Sequence, residues 1–397
     1  MITIESVYHA QEVLRGIARK TSLIHAPKLS KGCEIYLKAE NLQVTGSFKV
    51  RGAYYKMTRL SAEEKARGVV ACSAGNHAQG VALAAKKNGI QAVICLPSGA
   101  PISKVEATRS YGAEICLVDG VYDDAYQKAL QLKEEKGYTF IHPFDDEDVV
   151  AGQGTIALEV LEQLPELDAI LVPVGGGGLI AGIAYTVKTL APHVKVYGVE
   201  AAGAPSMQNA LQNGKIEQLS SVATFADGIA VKRPGELTYE FCKAYVDGIV
   251  TVTEDEIAAA ILALMEQQKL VAEGAGAVAV AAAMFGKVDL QGKKAVCLVS
   301  GGNIDVTILS RVINRGLLMS GRNCQLTVEL MDQPGQLNQI SRIVSEQGGN
   351  IISVHHERGD ERLRLNGCYV YVTLETRNFE HIKQIKQALA DYGFQLL

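Results

Sequence analysis

Six short apolar runs, VVAC, AVICLP, AEICLVD, AILVPV, KVYGVE and AVCLVS, recur between residues 69 and 300, with longer amphipathic segments between them. Runs this short, most of them without a polar alternation, read as strands buried on both faces. A chain that alternates such strands with helices builds parallel sheets covered by helices, an α/β fold. Folds of this kind bind ligands in the loops beyond the carboxyl ends of their strands. The loops after these runs are therefore where the chemistry is sought.

At 397 residues the chain exceeds one typical domain. A second pattern begins near Ser320-Gly321. From Cys324 onward the order is strand CQLTVELM, turn DQPG, helix QLNQISRIVSEQG, strand IISVHHE, exposed loop RGDERLRLNG, strand CYVYVTLET, helix NFEHIKQIKQALADYG and strand FQLL. That is βαββαβ, a small ferredoxin-like domain. The expected division is 1–321 for the first domain, with a smaller subdomain at about 50–150 inserted in it, and 322–397 for the second.

A net charge of −4 offers no basic footprint for nucleic acid or anionic membrane. No apolar run reaches the roughly 18 residues of a membrane span, and the first residues do not form a signal peptide. The eight cysteines show no CxxC pair, and several sit in apolar strands. They read as reduced thiols of a cytoplasmic protein, with no disulfide framework, zinc site or other metal.

Four loops carry polar chemistry. TGSFKVRGA places Lys49 after Phe48; SAGNHAQG runs from Ser73 to Gly80; VPVGGGGLIAG holds Gly175, Gly176, Gly177, Gly178 and Leu179; CLVSGGNID holds Ser300. A lysine that attacks carbonyls must lose its proton and approach its target closely, whereas most lysines are surface charges. Four glycines between a strand and a helix can aim N–H groups at a phosphate. Gly176, Gly178 and Ala181 also satisfy G-x-G-x-x-A, with Glu200 ending a later strand, so spacing alone leaves a dinucleotide cofactor open.

In this order and separation the four loops closely resemble those of the serine/threonine dehydratases, pyridoxal-phosphate enzymes of fold-type II (tryptophan synthase β-like). Supporting blocks are HPFDD (142–146), AGQGT (151–155), FADGIAVKRPG (225–235) and AEGAGA (272–277). The core looks most like the catabolic-type threonine dehydratases, and the tail from Cys324 resembles an ACT domain, a module that binds amino acids. The resemblance selects pyridoxal 5'-phosphate over a dinucleotide. It implies that Lys49 is the Schiff-base lysine, with Lys49 and Ser73 catalytic and Phe48 beside the pyridine ring. Asn76 would face the phenolic oxygen, Gly175 to Gly178 and Leu179 the phosphate, and Ser300 the pyridine nitrogen. Ser73, Ala74, Gly75, Asn76 and His77 would hold the substrate carboxylate. In the tail, Asp332, Gly335 and Asn350 would form an amino-acid site between paired domains. DQPG could also be no more than a good tight turn.

The resemblance implies deamination of L-threonine to 2-oxobutanoate and ammonia, with L-serine giving pyruvate, in a homodimer or homotetramer with an amino-acid effector. The alternatives are a serine-preferring dehydratase or racemase, and a β-replacement enzyme of the cysteine synthase type. Serine racemases carry a second serine where this chain has Ala74, so elimination is expected over racemisation. Their metal site is incomplete here: Glu200 and Ala204 match, but Pro205 and Ser206 stand where an acidic residue would follow. With Lys49 available as base, His77 is expected to be a structural hydrogen-bonder rather than a catalyst.

Overall fold

The structure, a computed structural model, describes residues 2–29, 32–358 and 365–397. The chain divides into two compact units, Met1–Ile308 and Leu309–Leu397. This division falls before the boundary expected near Gly321, within the helix Val306–Met319. That helix buries only Val312, so it carries little core of its own. Composition alone registers the next strand, Asn323–Met331, as the start of the new domain.

The first unit holds two sheets. One has six strands in the order Leu23–His25, Glu34–Ala39, Lys294–Val299, Ala169–Pro173, Lys195–Ala201 and Gly248–Val252. All neighbours are parallel except the first pair. The other sheet is parallel throughout, in the order Glu114–Val118, Ala92–Pro97, Val69–Cys72 and Thr139–Phe140. All six apolar runs are strands. Ala169–Pro173 and Val69–Cys72 are buried at every position, as strands covered on both faces should be.

Helix ends follow local rules. The helix Asn76–Asn88 stops at Gly89, whose φ of 65° is left-handed, a conformation glycine adopts without Cβ strain. Asp146 accepts from the N–H groups of Asp148 and Val149 and so caps the helix Glu147–Gln163.

Four strands escape the apolar-run pattern, and Glu34–Ala39 shows why. It carries Lys38, which is wholly buried and paired with Glu159 at 2.6 Å. Arg51 joins the same network, to Glu40 at 2.8 Å and Glu159 at 2.6 Å. A charged strand residue reads as exposed in sequence; here its partners are Glu159, from the helix Glu147–Gln163, and the Thr21 carbonyl.

The second unit is an antiparallel sheet ordered Asn350–Glu357, Gly367–Glu375, Asn323–Met331 and Gln395–Leu396. The helices Gln336–Glu346 and Phe379–Asp391 contribute Ile340, Ile343, Val344, Ile385 and Leu389 to its core, giving the expected βαββαβ order. Most of the expected loop RGDERLRLNG lies outside the described residues.

Candidate active site

Lys49 opens the helix Lys49–Arg59. Two residues on, buried Arg51 is clamped between Glu40 and Glu159, which fixes where that helix begins. The Lys49 Nζ donates to the Pro143 carbonyl at 2.8 Å and lies 5.3 Å from the Phe48 ring centre. Burial lowers its pKa to about 8, with Glu273 pulling the other way. An amine so tuned gives up its proton near neutral pH far more readily than a surface lysine.

The Phe48 N–H donates to the Ser300 carbonyl at 3.1 Å, joining the lysine loop to the end of the strand Lys294–Val299. The buried Ser300 hydroxyl faces the Ala275 carbonyl at 3.3 Å. Ser47 and Gly301 form a β-bridge beside it.

Asn76 starts the helix Asn76–Asn88 and is held from both ends of its amide. Its Nδ2 donates to Glu273 Oε1 at 2.5 Å, and its Oδ1 accepts from Asn303 Nδ2 at 2.7 Å. The Asn303 amide also donates to the Thr45 carbonyl at 2.8 Å. This fixes the amide's orientation and leaves the second Nδ2 hydrogen for another acceptor. Glu273 is buried, and burial followed by the nearby Asp227 carboxylate pushes its pKa up to about 7. Asp227 in turn pairs with Lys104 of the helix Ile102–Ser110.

The glycine loop follows the strand Ala169–Pro173 and feeds the helix Gly178–Leu190. Gly177 has a φ of 95°. A Cβ on Gly176 would stand 2.3 Å from the Phe144 ring, and one on Gly177 2.6 Å from Met207 Cε. Thr238 Oγ1 donates to the Gly176 carbonyl at 2.6 Å. Because Phe144 follows Pro143, residues 143 and 144 connect the lysine amine to this loop. Ala181 N–H donates to Gly177 O at 2.9 Å, closing the first helical turn, so the N–H groups ahead of it project from the helix end, the arrangement that receives phosphate. Leu179 is buried behind them.

In the SAGNH loop, Ser73 Oγ accepts from Gly75 N–H at 3.1 Å and braces the turn. Ala74 packs on the core of the small sheet. His77 points away into that core, with Nε2 2.8 Å from the Ile141 carbonyl. Since a carbonyl only accepts, Nε2 carries the proton. Burial first, and then the Lys49 charge, hold the His77 pKa down at about 3, so the ring is neutral. Glu200 accepts from the N–H groups of Met207 and Gln208 at 2.9 and 2.8 Å, at the start of the helix Ser206–Asn213. Burial raises its pKa to about 8.

Sequence patterning passed over several of these partners. Pro143 and Asn303 lie inside the stretches HPFDD and CLVSGGNID, but they act through a backbone carbonyl and an amide whose partners are distant in sequence, and Thr238 belongs to none of the quoted stretches. Phe144, Asp227 and Glu273 lie in the blocks HPFDD, FADGIAVKRPG and AEGAGA, which signal position without role.

Of the tail residues, Asp332 and Gly335 line a cavity of about 410 Å³ within the second unit. Asn350 does not line it. The register pairs Asn350 with Glu375 and Met331 with Gly367, so Asn350 sits at the opposite end of the sheet, donating to Glu375 at 2.8 Å. One copy of the chain separates these three residues.

A family model described as pyridoxal-phosphate dependent enzyme matches residues 14–301. L-threonine ammonia-lyase of Thermotoga maritima is 49% identical over 100% of this chain and 99% of its own. The chain belongs to the pyridoxal-phosphate-dependent threonine ammonia-lyase family. Among solved structures, the processed form of threonine deaminase isoform 2 from Solanum lycopersicum is 41% identical with a TM-score of 0.75, covering 79% of this chain and 88% of that one. Maize serine racemase is 35% identical with a TM-score of 0.75, covering 80% and 98%.

The residues present fit the cofactor of this family. The four-glycine cradle, which packs too closely on Phe144, Met207 and Thr238 to admit a side chain at 176 or 177, suits a phosphate. The Lys49 amine, the Asn76 amide and the Ser300 hydroxyl offer a nucleophile, a donor and a neutral hydrogen-bonding partner. The chain couples Lys49 to its glycine loop through Pro143 and Phe144.

Proposed function

We propose that this chain deaminates L-threonine by β-elimination, giving 2-oxobutanoate and ammonia, and acts on L-serine to give pyruvate. The observation that carries the reading is the Lys49 amine. Burial makes it deprotonable, and backbone contacts join it to the Ser300 loop on one side and to the glycine cradle on the other.

Bound pyridoxal phosphate supplies an electron sink for the substrate's α-carbon. Lys49 takes the α-proton as general base and is the proton carrier at that carbon. The N–H groups of Ser73 to His77, at the start of the helix Asn76–Asn88, orient the α-carboxylate. Ser300 would offer the pyridine nitrogen a neutral hydroxyl, a weaker partner than a carboxylate, which would favour quick loss of the β-hydroxyl. Ala74 has no proton to deliver to the opposite face, which disfavours racemisation.

Lys49→Ala should lose both the visible absorption of the lysine-bound cofactor and at least about 10²-fold of threonine turnover. Retention of both would overturn the assignment. Formation of a thioether or cysteine in place of ammonia would favour a β-replacement enzyme.

For the tail, we infer an amino-acid effector site at Asp332 and Gly335, completed by Asn350 from a second copy, in a homodimer or homotetramer. Deleting 322–397 should leave catalysis and remove sensitivity to isoleucine or valine. An unchanged response in the truncated enzyme rejects this reading.

A further inference from the structure

The geometry points to a divalent metal site of the zinc class in the second unit, formed by the Asp332 carboxylate, the His356 imidazole and the Cys368 thiolate. The donor atoms of the three residues all lie within 4.8 Å of one another, with Asp332 Oδ1 3.9 Å from His356 Nε2. Donors on a tetrahedral zinc, at bond lengths of about 2.0–2.3 Å, stand about 3.3–3.8 Å apart. Small side-chain rotations close that gap.

The sheet register builds the cluster, which is why no spacing in the sequence announces it. His356 pairs with Val370 across adjacent strands, and Cys368 lies two residues from Val370, so both side chains leave the same face. Cys368 also pairs with Leu330. Asp332 lies two residues after Leu330, just past the end of that strand, and is held by its N–H donating to the Asn366 carbonyl at 2.8 Å. All three residues line the 410 Å³ cavity, with Cys368 buried and the other two open to solvent. The cavity leaves a water molecule access to a fourth position.

The donor set selects the ion. A thiolate and an imidazole suit zinc or its chemical relatives, while magnesium and calcium prefer oxygen alone. On binding, the Cys368 thiol releases its proton to solvent, so a thiolate and a carboxylate face the incoming double positive charge. Arg358 holds both oxygens of the Asp332 carboxylate, Nε to Oδ2 at 2.9 Å and Nη2 to Oδ1 at 3.2 Å. Metal binding exchanges the longer contact for a bond from Oδ1 to the ion, while the Nε–Oδ2 contact persists as an outer partner of the ligating carboxylate. Asp332 also belongs to the proposed amino-acid site, but the test reads metal alone, so the two assignments fail separately.

Full-length holoenzyme, stripped with a chelator, is titrated with cobalt(II) and then with zinc. The expected result is one cobalt per chain with a sulfur-to-metal absorption band, displaced by zinc. Cys368→Ser should abolish the band, and His356→Gln, at an open position, should weaken cobalt binding by about 10-fold or more. Threonine turnover with saturating cofactor should stay unchanged in His356→Gln. No cobalt uptake, uptake without a thiolate band, or wild-type affinity in His356→Gln would each overturn the proposal, the last even if Cys368→Ser does not fold.

Discussion

Asn76 gives an amide hydrogen to Glu273 at 2.5 Å, and the carboxyl that receives it is buried with a pKa raised to about 7. The folded chain therefore keeps this proton between pH 4.5 and about 7, where the unfolded chain has released it. Its effect on stability is level below that window and falls as pH rises through it. Glu273→Gln should remove this slope. Denaturant unfolding should show the variant gaining on its parent by on the order of 3 kcal/mol across the window. A constant difference would mean that the fold holds Glu273 ionised.

His77 is neutral and committed to the Ile141 carbonyl. His77→Gln preserves a donor and should leave the pH profile of threonine turnover unaltered, with kcat within several-fold of the parent. His77→Ala should cost about 1–3 kcal/mol of stability by orphaning a buried carbonyl. Loss of one limb of the pH profile in His77→Gln would return the histidine to proton transfer.

Gly177 combines a left-handed φ with close approach of Met207 and Thr238. Gly177→Ala should strain the cradle by about 1–3 kcal/mol and weaken pyridoxal phosphate binding by roughly 10-fold or more. Spectroscopic titration of the stripped enzyme reads this directly, and an unchanged Kd would place the phosphate elsewhere.

Ala74 sits in the substrate loop, packed on the small-sheet core. Ala74→Ser adds a hydroxyl with a transferable proton, so D-serine should form from L-serine at a rate the parent lacks. Chiral chromatography decides the matter, and a variant making no D-serine removes the support for this reading of the loop.

Legibility in the sequence followed the range of the interactions. The six apolar runs are local signals, and each forms a strand. The four loops are readable because each carries its own residues in order. Glu273, Pro143 and Asn303 are not, since their roles exist only once distant segments meet. Lys38 carries no local signal of its burial: a lysine is ordinarily a surface charge, and this one is wholly buried because Glu159, 121 positions later, pairs with it. Asn350 shows the same limit, as its place depends on a register that no short motif encodes.

The glycine cradle is shaped by Phe144, Met207 and Thr238, contributed by three separated segments. Those contacts leave Gly176 and Gly177 no room for a Cβ. The loop is therefore defined by what packs behind it, and an enlarged side chain at any of the three positions would push the backbone forward into the space it encloses. Tolerance to substitution in this part of the molecule is set as much by those three supports as by the glycines themselves.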